Sequence, residues 1–287
     1  MKQKNVEKKE KIVNLKRAMR NKLSGKRKGI ILLIFSLVIL SSIMTIGKTR
    51  NNQEILQTMK SFLDQEFHAP ERKIAKTSSG EKICYLTFDD GPSENTIKIL
   101  DVLKKYEVKA TFFVIGNCLC EENRPILERI VAEGHTIGLH ANNHKYEKFY
   151  ADATSFLKDY ESLYKTLKEN YGIETSIFRL PGGSACKYLY GKGKEYVSQM
   201  HERGFACFDW NVTGEDSVGS PTVASIQKNV FERIFRFEKP IVLLHDSCIA
   251  DATPEALPGI IEKVKEQGYN FDTLEEREEY VFPNQRK

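Results

Sequence analysis

Beyond its basic N-terminus the chain interleaves arginine with aromatic side chains little, a short run at Phe231–Phe237 apart, so the usual footprint of a nucleic-acid-binding surface is missing. The basic balance itself is local. The 287 residues carry a formal +5, but residues 1–28 hold twelve Lys or Arg against two Glu, a net +10, which leaves −5 for residues 29–287. Ile30 to Ile46, "IILLIFSLVILSSIMTI", has no charge at all, and Ser and Thr are its only polar residues. A helix at the edge of a soluble core would show a polar face, which this run does not have. A small-x-small cleavage site is also missing. "GKTRNN" follows instead, and the preceding basic region is long, which argues against a cleaved signal peptide. The run reaches the lower limit of about 17 residues for crossing a bilayer. Residues 29–47 are therefore expected to be an uncleaved transmembrane anchor. The positive-inside rule then leaves residues 1–28 as a cytoplasmic tail and sends everything after Gly47 outside the cell. Cysteine is sparse and unpatterned: Cys118 and Cys120 could begin a metal half-site, but no second Cys/His pair has matching spacing. The remaining chain is long enough to bury a core without staples, so Cys84, Cys118, Cys120, Cys186, Cys207 and Cys248 are expected as free thiols.

What is present begins with a stalk and linker over 48–80. "EILQTMKSFLDQEF" places Ile55, Met59, Phe62 and Phe67 near one helical face, and "KTSSGEK" reads as a connection. Over 81–278 the chain alternates between short β-branched runs and helical periodicities. Seven strand-like runs are separated by six helical ones, the pattern of a parallel sheet covered by helices. Ser93 is placed to cap the first helix, and Ser220–Pro221 to open the fifth. Residues 279–287 are expected to be a tail.

The ends of the strands carry the chemistry. The first ends at Asp89–Asp90, the third at His140 with His144 four residues on, the fourth at Arg179, the fifth at Asp209–Trp210, and the sixth at His245–Asp246. Asp, Gly and Pro around residue 90 would explain one turn, but a turn does not explain five such ends. Ligand sites in parallel α/β folds form at the carboxyl ends of strands. Adjacent strands lie about 4.8 Å apart, so in an open sheet of sequential order the first and sixth ends would be roughly 24 Å apart. A single site using both requires the sheet to close, and an irregular (β/α)7 barrel is expected. His140 and His144, spaced as on one face of a helical turn, together with a carboxylate from Asp89 or Asp90, would make a His₂Asp metal site with positions left open. Zn²⁺ suits this donor set, with other first-row ions as alternatives.

In their order, these motifs resemble the polysaccharide deacetylases of the NodB-homology type, carbohydrate esterase family 4. Thr87-Phe88-Asp89-Asp90-Gly91, His140-Ala141-Asn142-Asn143-His144, Arg179-Leu180-Pro181, Asp209-Trp210 and Leu243-Leu244-His245 match its five motifs over about residues 80–275. Ala141 departs from the family's Ser or Thr, which puts an orienting hydrogen bond of the His loop in doubt. The resemblance implies a divalent-metal hydrolase, with Zn most expected and Co or Mn as alternatives. It makes Asp89 the general base and Asp90, His140 and His144 the metal ligands. Arg179 would pair with Asp89, and the backbone N–H near Gly182 would serve the oxyanion. His245 would be the general acid and Asp209 the group that orients it, with Trp210 as a pocket wall that could meet sugar. The expected substrate is an acetylated extracellular polysaccharide, with peptidoglycan N-acetylglucosamine favoured by the tether. O-acetyl xylan, an exopolysaccharide and a non-catalytic wall-binding module are the alternatives.

Overall fold

The computed structural model describes residues 67–283, apart from Thr77 and Ser79. The expected cytoplasmic tail, membrane anchor and stalk up to residue 66 lie outside the described residues, as do residues 284–287. Among the described residues no helix is long and apolar enough to cross a membrane.

The alternation read from the sequence is realised as β1 (Ile83–Gly91), α1 (Glu94–Lys105), β2 (Thr111–Ile115), α2 (Arg124–Ala132), β3 (Thr136–Ala141), α3 (Tyr146–Phe149), α4 (Ala153–Tyr171), β4 (Ile177–Phe178), α5 (Gly193–His201), β5 (Ala206–Cys207), β6 (Val212–Thr213), α6 (Val223–Ile234), β7 (Ile241–His245), α7 (Ala252–Glu266) and β8 (Asn270–Phe271). Ser93 does cap α1: its side chain accepts from the Asn95 N–H, and the Thr96 hydroxyl accepts from the Ser93 N–H. The cap of α6 is Thr222 rather than Ser220, because Thr222 pairs reciprocally with Ser225 at the third helical position. Asn123 precedes α2 without making a side-chain cap.

The sheet has eight strands, one more than the sequence pattern suggests. Its order is β5-β4-β3-β2-β1-β7-β6, and β8 pairs with the start of β1. All paired strands are parallel. Read as a ring, this is sequential order with the ladder interrupted between β5 and β6. The expected irregular (β/α)7 barrel is met as a curled parallel half-barrel whose ladder is open at that seam. The reason is local: the Asp209–Asn211 connection between β5 and β6 is spent on other bonds. The Asp209 N–H donates to the carbonyl of Tyr280 and the Asn211 N–H to that of Ile241. Tyr280 instead forms a parallel bridge with Phe208 at the open edge.

Strand side chains alternate between two faces, and here the faces have different fates. Cys84, Leu86 and Phe88 of β1, with Ile137 and Leu139 of β3 and Val242 and Leu244 of β7, pack among the helices. Ile83, Tyr85, Phe113, Ile177, Ala206, Phe208 and Ile241 form a second buried cluster. Its members come from β1, β2, β4 and β7 and from the β5 region, so the sheet must curl to bring them together. Gly138 stands inside the curl because a Cβ there would lie 2.5 Å from the Phe113 ring.

The edges of the catalytic body extend beyond the expected 81–278. Phe67 is buried against the core, Ala69 and Ala75 donate backbone hydrogen bonds to Arg203 and Glu276, and Arg72 donates to the carbonyls of Leu274, Glu275 and Arg277. At the other end, Glu279 meets His201 at 2.7 Å and Phe282 reaches Asp209.

Candidate active site

Continuing the inward files of the strands by two residues reaches the site. Ile83, Tyr85 and Thr87 lead to Asp89, Gly138 leads to His140, Ile177 leads to Arg179, and Ile241 and Leu243 lead to His245. Asp89 and His245 are register neighbours across the β1–β7 ladder. Asp90 should point outward, as the next residue of a strand. It does not, because its backbone takes φ +78° and the β1–β2 register breaks between Asp89 and Gly91. A left-handed aspartate is uncommon, and such backbone persists where surrounding contacts over-determine it. The irregularity brings both carboxylates of the pair to the mouth.

Arg179 is completely buried. Its Nη1 donates to Asp89 Oδ1 at 2.8 Å and to Thr87 Oγ1 at 2.7 Å, and its Nε donates to the Phe208 carbonyl at 2.7 Å. Its guanidinium lies 4.2 Å over the Phe113 ring. β4 and β1 are three steps apart in the sheet, or about 14 Å if it were flat. Only the curl allows one arginine side chain to bridge them.

The two histidines face one atom. His140 Nε2 lies 3.4 Å and His144 Nε2 3.3 Å from Asp90 Oδ1. That oxygen is buried and has no hydrogen-bond donor. The Nδ1 of His140 sits 3.0 Å from the Arg179 carbonyl, an acceptor, so Nδ1 carries the proton and Nε2 presents its lone pair. Burial also pushes the His140 pKa down, against the raising influence of Asp89 and Asp90. A lone pair and a carboxylate oxygen facing each other repel unless a cation lies between them. The donor set Asp90, His140 and His144, with all three ligand atoms within 4.8 Å of one another, fits a divalent metal. The pair is not built on a helical turn as its spacing suggested. His140 is the penultimate residue of β3 and His144 follows in a loop at φ +45°, because the chain must turn sharply to aim both rings inward. Ala141 is fully buried and offers no hydroxyl; the loop is held instead by Asp159 of α4, which accepts from the Asn142 N–H at 2.5 Å.

Beside Asp89, on β7, stands His245. Its Nδ1 is 2.8 Å from Asp216 Oδ1, and its N–H donates to Asp216 Oδ2 at 2.7 Å. Thr253 donates to the same carboxylate at 2.6 Å. Burial alone would lower the imidazole pKa. The hydrogen bond and charge of Asp216, with the charges of Asp89 and Asp90, outweigh it and raise the pKa to about 9.

The orienting group is therefore Asp216, and the expected contact from Asp209 is a correction. Asp209 Oδ1 accepts from the Ser184 N–H at 2.8 Å, and its Oδ2 accepts from the Ser184 hydroxyl and from the Phe282 N–H at 2.7 Å. With both oxygens so occupied, Asp209 braces the loop that follows Arg179. That loop turns at Pro181–Gly182: the Gly183 N–H donates to the Leu180 carbonyl at 2.7 Å, and Gly182 takes φ +73°, which only glycine adopts freely. Tyr150 donates to the Pro181 carbonyl at 2.8 Å. Trp210 is half-buried, edge-on to Phe282 at 5.2 Å, and forms a wall beside Gly183.

Asp216 had one faint signal. Val212–Thr213 followed by Gly214–Glu215–Asp216 repeats the format of β1, an apolar or β-branched run ending in acid, but over two residues only. Three further histidines lie among the described residues. His135 Nδ1 accepts from the Ala110 N–H at 3.2 Å, and burial lowers its pKa to about 4. His68 and His201 are exposed, and all six cysteines are free thiols.

Residues 76–204 match the polysaccharide deacetylase family. A peptidoglycan-N-acetylglucosamine deacetylase of Bacillus cereus is 34% identical over 206 residues, covering 69% of this chain and 89% of its own length. Among solved structures, the catalytic domain of a peptidoglycan N-acetylglucosamine deacetylase from Eubacterium rectale superposes with a TM-score of 0.64 at 34% identity, covering 70% of this chain and 92% of that one. A family 4 acetyl xylan esterase from Clostridium thermocellum, in complex with a cobalt ion, gives a TM-score of 0.57 at 30% identity over 67% of this chain and 88% of that one. With the parallel half-barrel and the five-sided cluster at its mouth, these likenesses make the chain a member of the polysaccharide deacetylase family and a hydrolase of N-acetyl groups.

Proposed function

We propose that this chain is a metal-dependent deacetylase of peptidoglycan N-acetylglucosamine, anchored to the cell membrane by residues 29–47 with the catalytic body outside. The carrying observation is the unshared Asp90 Oδ1 faced by two imidazole nitrogens, with Asp89 and His245 paired across the adjoining β1–β7 ladder. A divalent ion held by Asp90, His140 and His144, most favourably Zn²⁺, would polarise the acetyl carbonyl and make water more acidic there. Asp89 takes the proton of the attacking water, and Arg179 keeps that carboxylate ionised and fixed in direction. The Gly182 turn offers backbone N–H to the oxygen on which negative charge develops. His245, held protonated by Asp216, gives its proton to the departing nitrogen. Asp209 keeps the Gly182–Ser184 loop in place.

The preference for wall glycan rests on the two peptidoglycan deacetylases above and on the expected tether, which would keep the mouth close to the membrane-facing layer of the wall. Purified full-length protein should release acetate from wall glycan and raise its free glucosamine content. Chelation should abolish release, and Zn²⁺ should restore it. No release from wall glycan or from any acetylated oligomer, with metal content confirmed, would falsify the enzymatic reading and favour a wall-binding module. One observation favours a second substrate: the likeness to an acetyl xylan esterase. Faster release from acetylated xylan, or from a secreted exopolysaccharide, than from wall glycan would move the assignment there.

A further inference from the structure

The turn at Gly182 is backed by a segment near the C-terminus that the chemistry above does not use. Glu279 to Phe282 lies along the open edge of the sheet at β5, where Tyr280 bridges Phe208. The Tyr280 N–H donates to the Cys207 carbonyl at 3.3 Å, and the Tyr280 carbonyl accepts from the Asp209 N–H at 2.7 Å. The Phe282 N–H then donates to Asp209 Oδ2 at 2.7 Å. That oxygen also accepts from the Ser184 hydroxyl, while Asp209 Oδ1 accepts from the Ser184 N–H at 2.8 Å. One buried carboxylate thus ties the C-terminal segment to the loop that carries Gly182.

The Phe282 ring reaches the same loop. A Cβ on Gly183 would lie 2.7 Å from that ring, 3.0 Å from Trp210 and 3.2 Å from Asp209 Oδ1. The ring also stands edge-on to Trp210 at 5.2 Å. Gly182 and Gly183 take φ +73° and +79° in succession. Glycine loses more freedom than any other residue when fixed, so two in a row need outside contacts to keep one conformation. Asp209 supplies the bonds and Phe282 the outer wall. The segment is itself pinned just upstream, where Arg72 Nη2 donates to the Arg277 carbonyl at 2.6 Å and Glu279 meets His201 at 2.7 Å.

We infer that Phe282 is a positioning residue for the deacetylation step: through Asp209 and Ser184 it holds the backbone N–H groups of the Gly182 turn where the acetyl oxygen becomes negative. This role rests on the deacetylase reading above and falls to a segment that brings no side chain to the reacting atoms. A donor to a developing oxyanion works because it is in place before the reaction, and a displacement of about 1 Å can cost up to about a hundredfold. The contact strengthens only as charge develops, so its loss should appear in kcat rather than in KM.

The test measures acetate release from an N-acetylglucosamine tetramer by the full-length protein in wild type, Phe282→Ala, Phe282→Tyr and a chain stopped after Val281. Phe282→Ala keeps the N–H and loses the ring, and its kcat should fall by on the order of fivefold. The stopped chain loses both, and its kcat should fall by on the order of thirtyfold. KM, metal content and the pH dependence of kcat/KM should stay in place in both, and Phe282→Tyr should restore the rate. An unchanged kcat in the stopped chain overturns the proposal. So does a loss matched by a raised KM or by lost metal, the mark of general loosening. If the stopped chain does not fold, Phe282→Ala decides by the same criteria. Hydrogen exchange at the Gly183 and Ser184 amides reads the brace without turnover. If wild type releases no acetate, the deacetylase reading fails and exchange decides alone: faster exchange in Phe282→Ala upholds the positioning of the turn, and unchanged exchange overturns it.

Discussion

Two carboxylates at the mouth, Asp89 and Asp216, each hold a basic partner, and they are secured differently. Asp89 is bound to Arg179, and both residues end inward files of strands whose place is fixed by the sheet ladder. Asp216 is bound to His245, but Asp216 sits in a loop after a two-residue strand, preceded by Glu215 at φ +54°. The first pair is a consequence of curvature and strand alternation. The second depends on hydrogen bonds within the loop region, two to His245 and one from Thr253. A sheet sets its residues by periodicity, whereas a loop must be held one contact at a time, and only the first kind of placement can be read along a chain.

Breaking the strand-borne pair should have the largest effects. Asp89→Asn keeps an acceptor for Arg179 but loses the base, and kcat should fall by about 10²–10⁴-fold with metal content unchanged. Activity within tenfold of wild type would reassign the base. Arg179→Met leaves the Asp89 carboxylate buried without its counter-charge, so urea unfolding should show a loss of about 3–5 kcal/mol. A loss under about 1 kcal/mol would mean that the pair does not hold the curl.

The loop-borne pair should answer in pH rather than in stability. His245 titrates near 9 when folded, above the usual value of about 6.5. In its proposed role of general acid it works only when protonated, so kcat/KM should fall as pH rises through that folded value. A cation on Asp90 removes one of the raising charges, so this alkaline limb should lie at or below about 9 in the loaded enzyme. The stability from the pairing has the same sign: fully present below about 6.5 and lost as pH rises through about 9. Asp216→Asn removes the main raising partner. It should lower activity by about a hundredfold and move the alkaline limb to lower pH. Asp209→Asn should leave that limb in place, because Asp209 touches Ser184 and Phe282 instead. A shifted limb in Asp209→Asn and a fixed one in Asp216→Asn would restore the contact expected from sequence. The smallest effect belongs to a part outside this comparison: Ser93→Ala should cost about 1 kcal/mol of stability through the lost cap of α1.

Much of this was legible in advance where periodicity did the work. Apolar runs of alternating fate, helical repeats and the Ser93 cap foretold the parallel sheet and its helices, and the acid, histidine and arginine read at strand ends, Asp89, Asp90, His140, His144, Arg179 and His245, are residues the fold gathers at one mouth. The misses share a cause. β6 spans two residues, too few for a period to show, so the Asp216 loop passed as a connection and Asp209 took its role. The His140–His144 spacing suggested a helical turn, but the chain bends through a left-handed His144 instead. The 279–287 stretch looked like a tail, yet Tyr280 and Phe282 pair with the β5 region, a contact between distant parts of the chain that no local pattern announces.

The sequence by itself determined which residues would stand at one end of the sheet, because strand alternation and strand order follow from local periodicity. Only the tertiary structure decided that the sheet curls without closing, that Arg179 reaches Asp89 across it, that Asp216 rather than Asp209 holds His245, and that Phe282 reaches Asp209 behind the Gly182 turn. Those outcomes depend on where loops return in space, and that is set by packing between residues far apart in the chain.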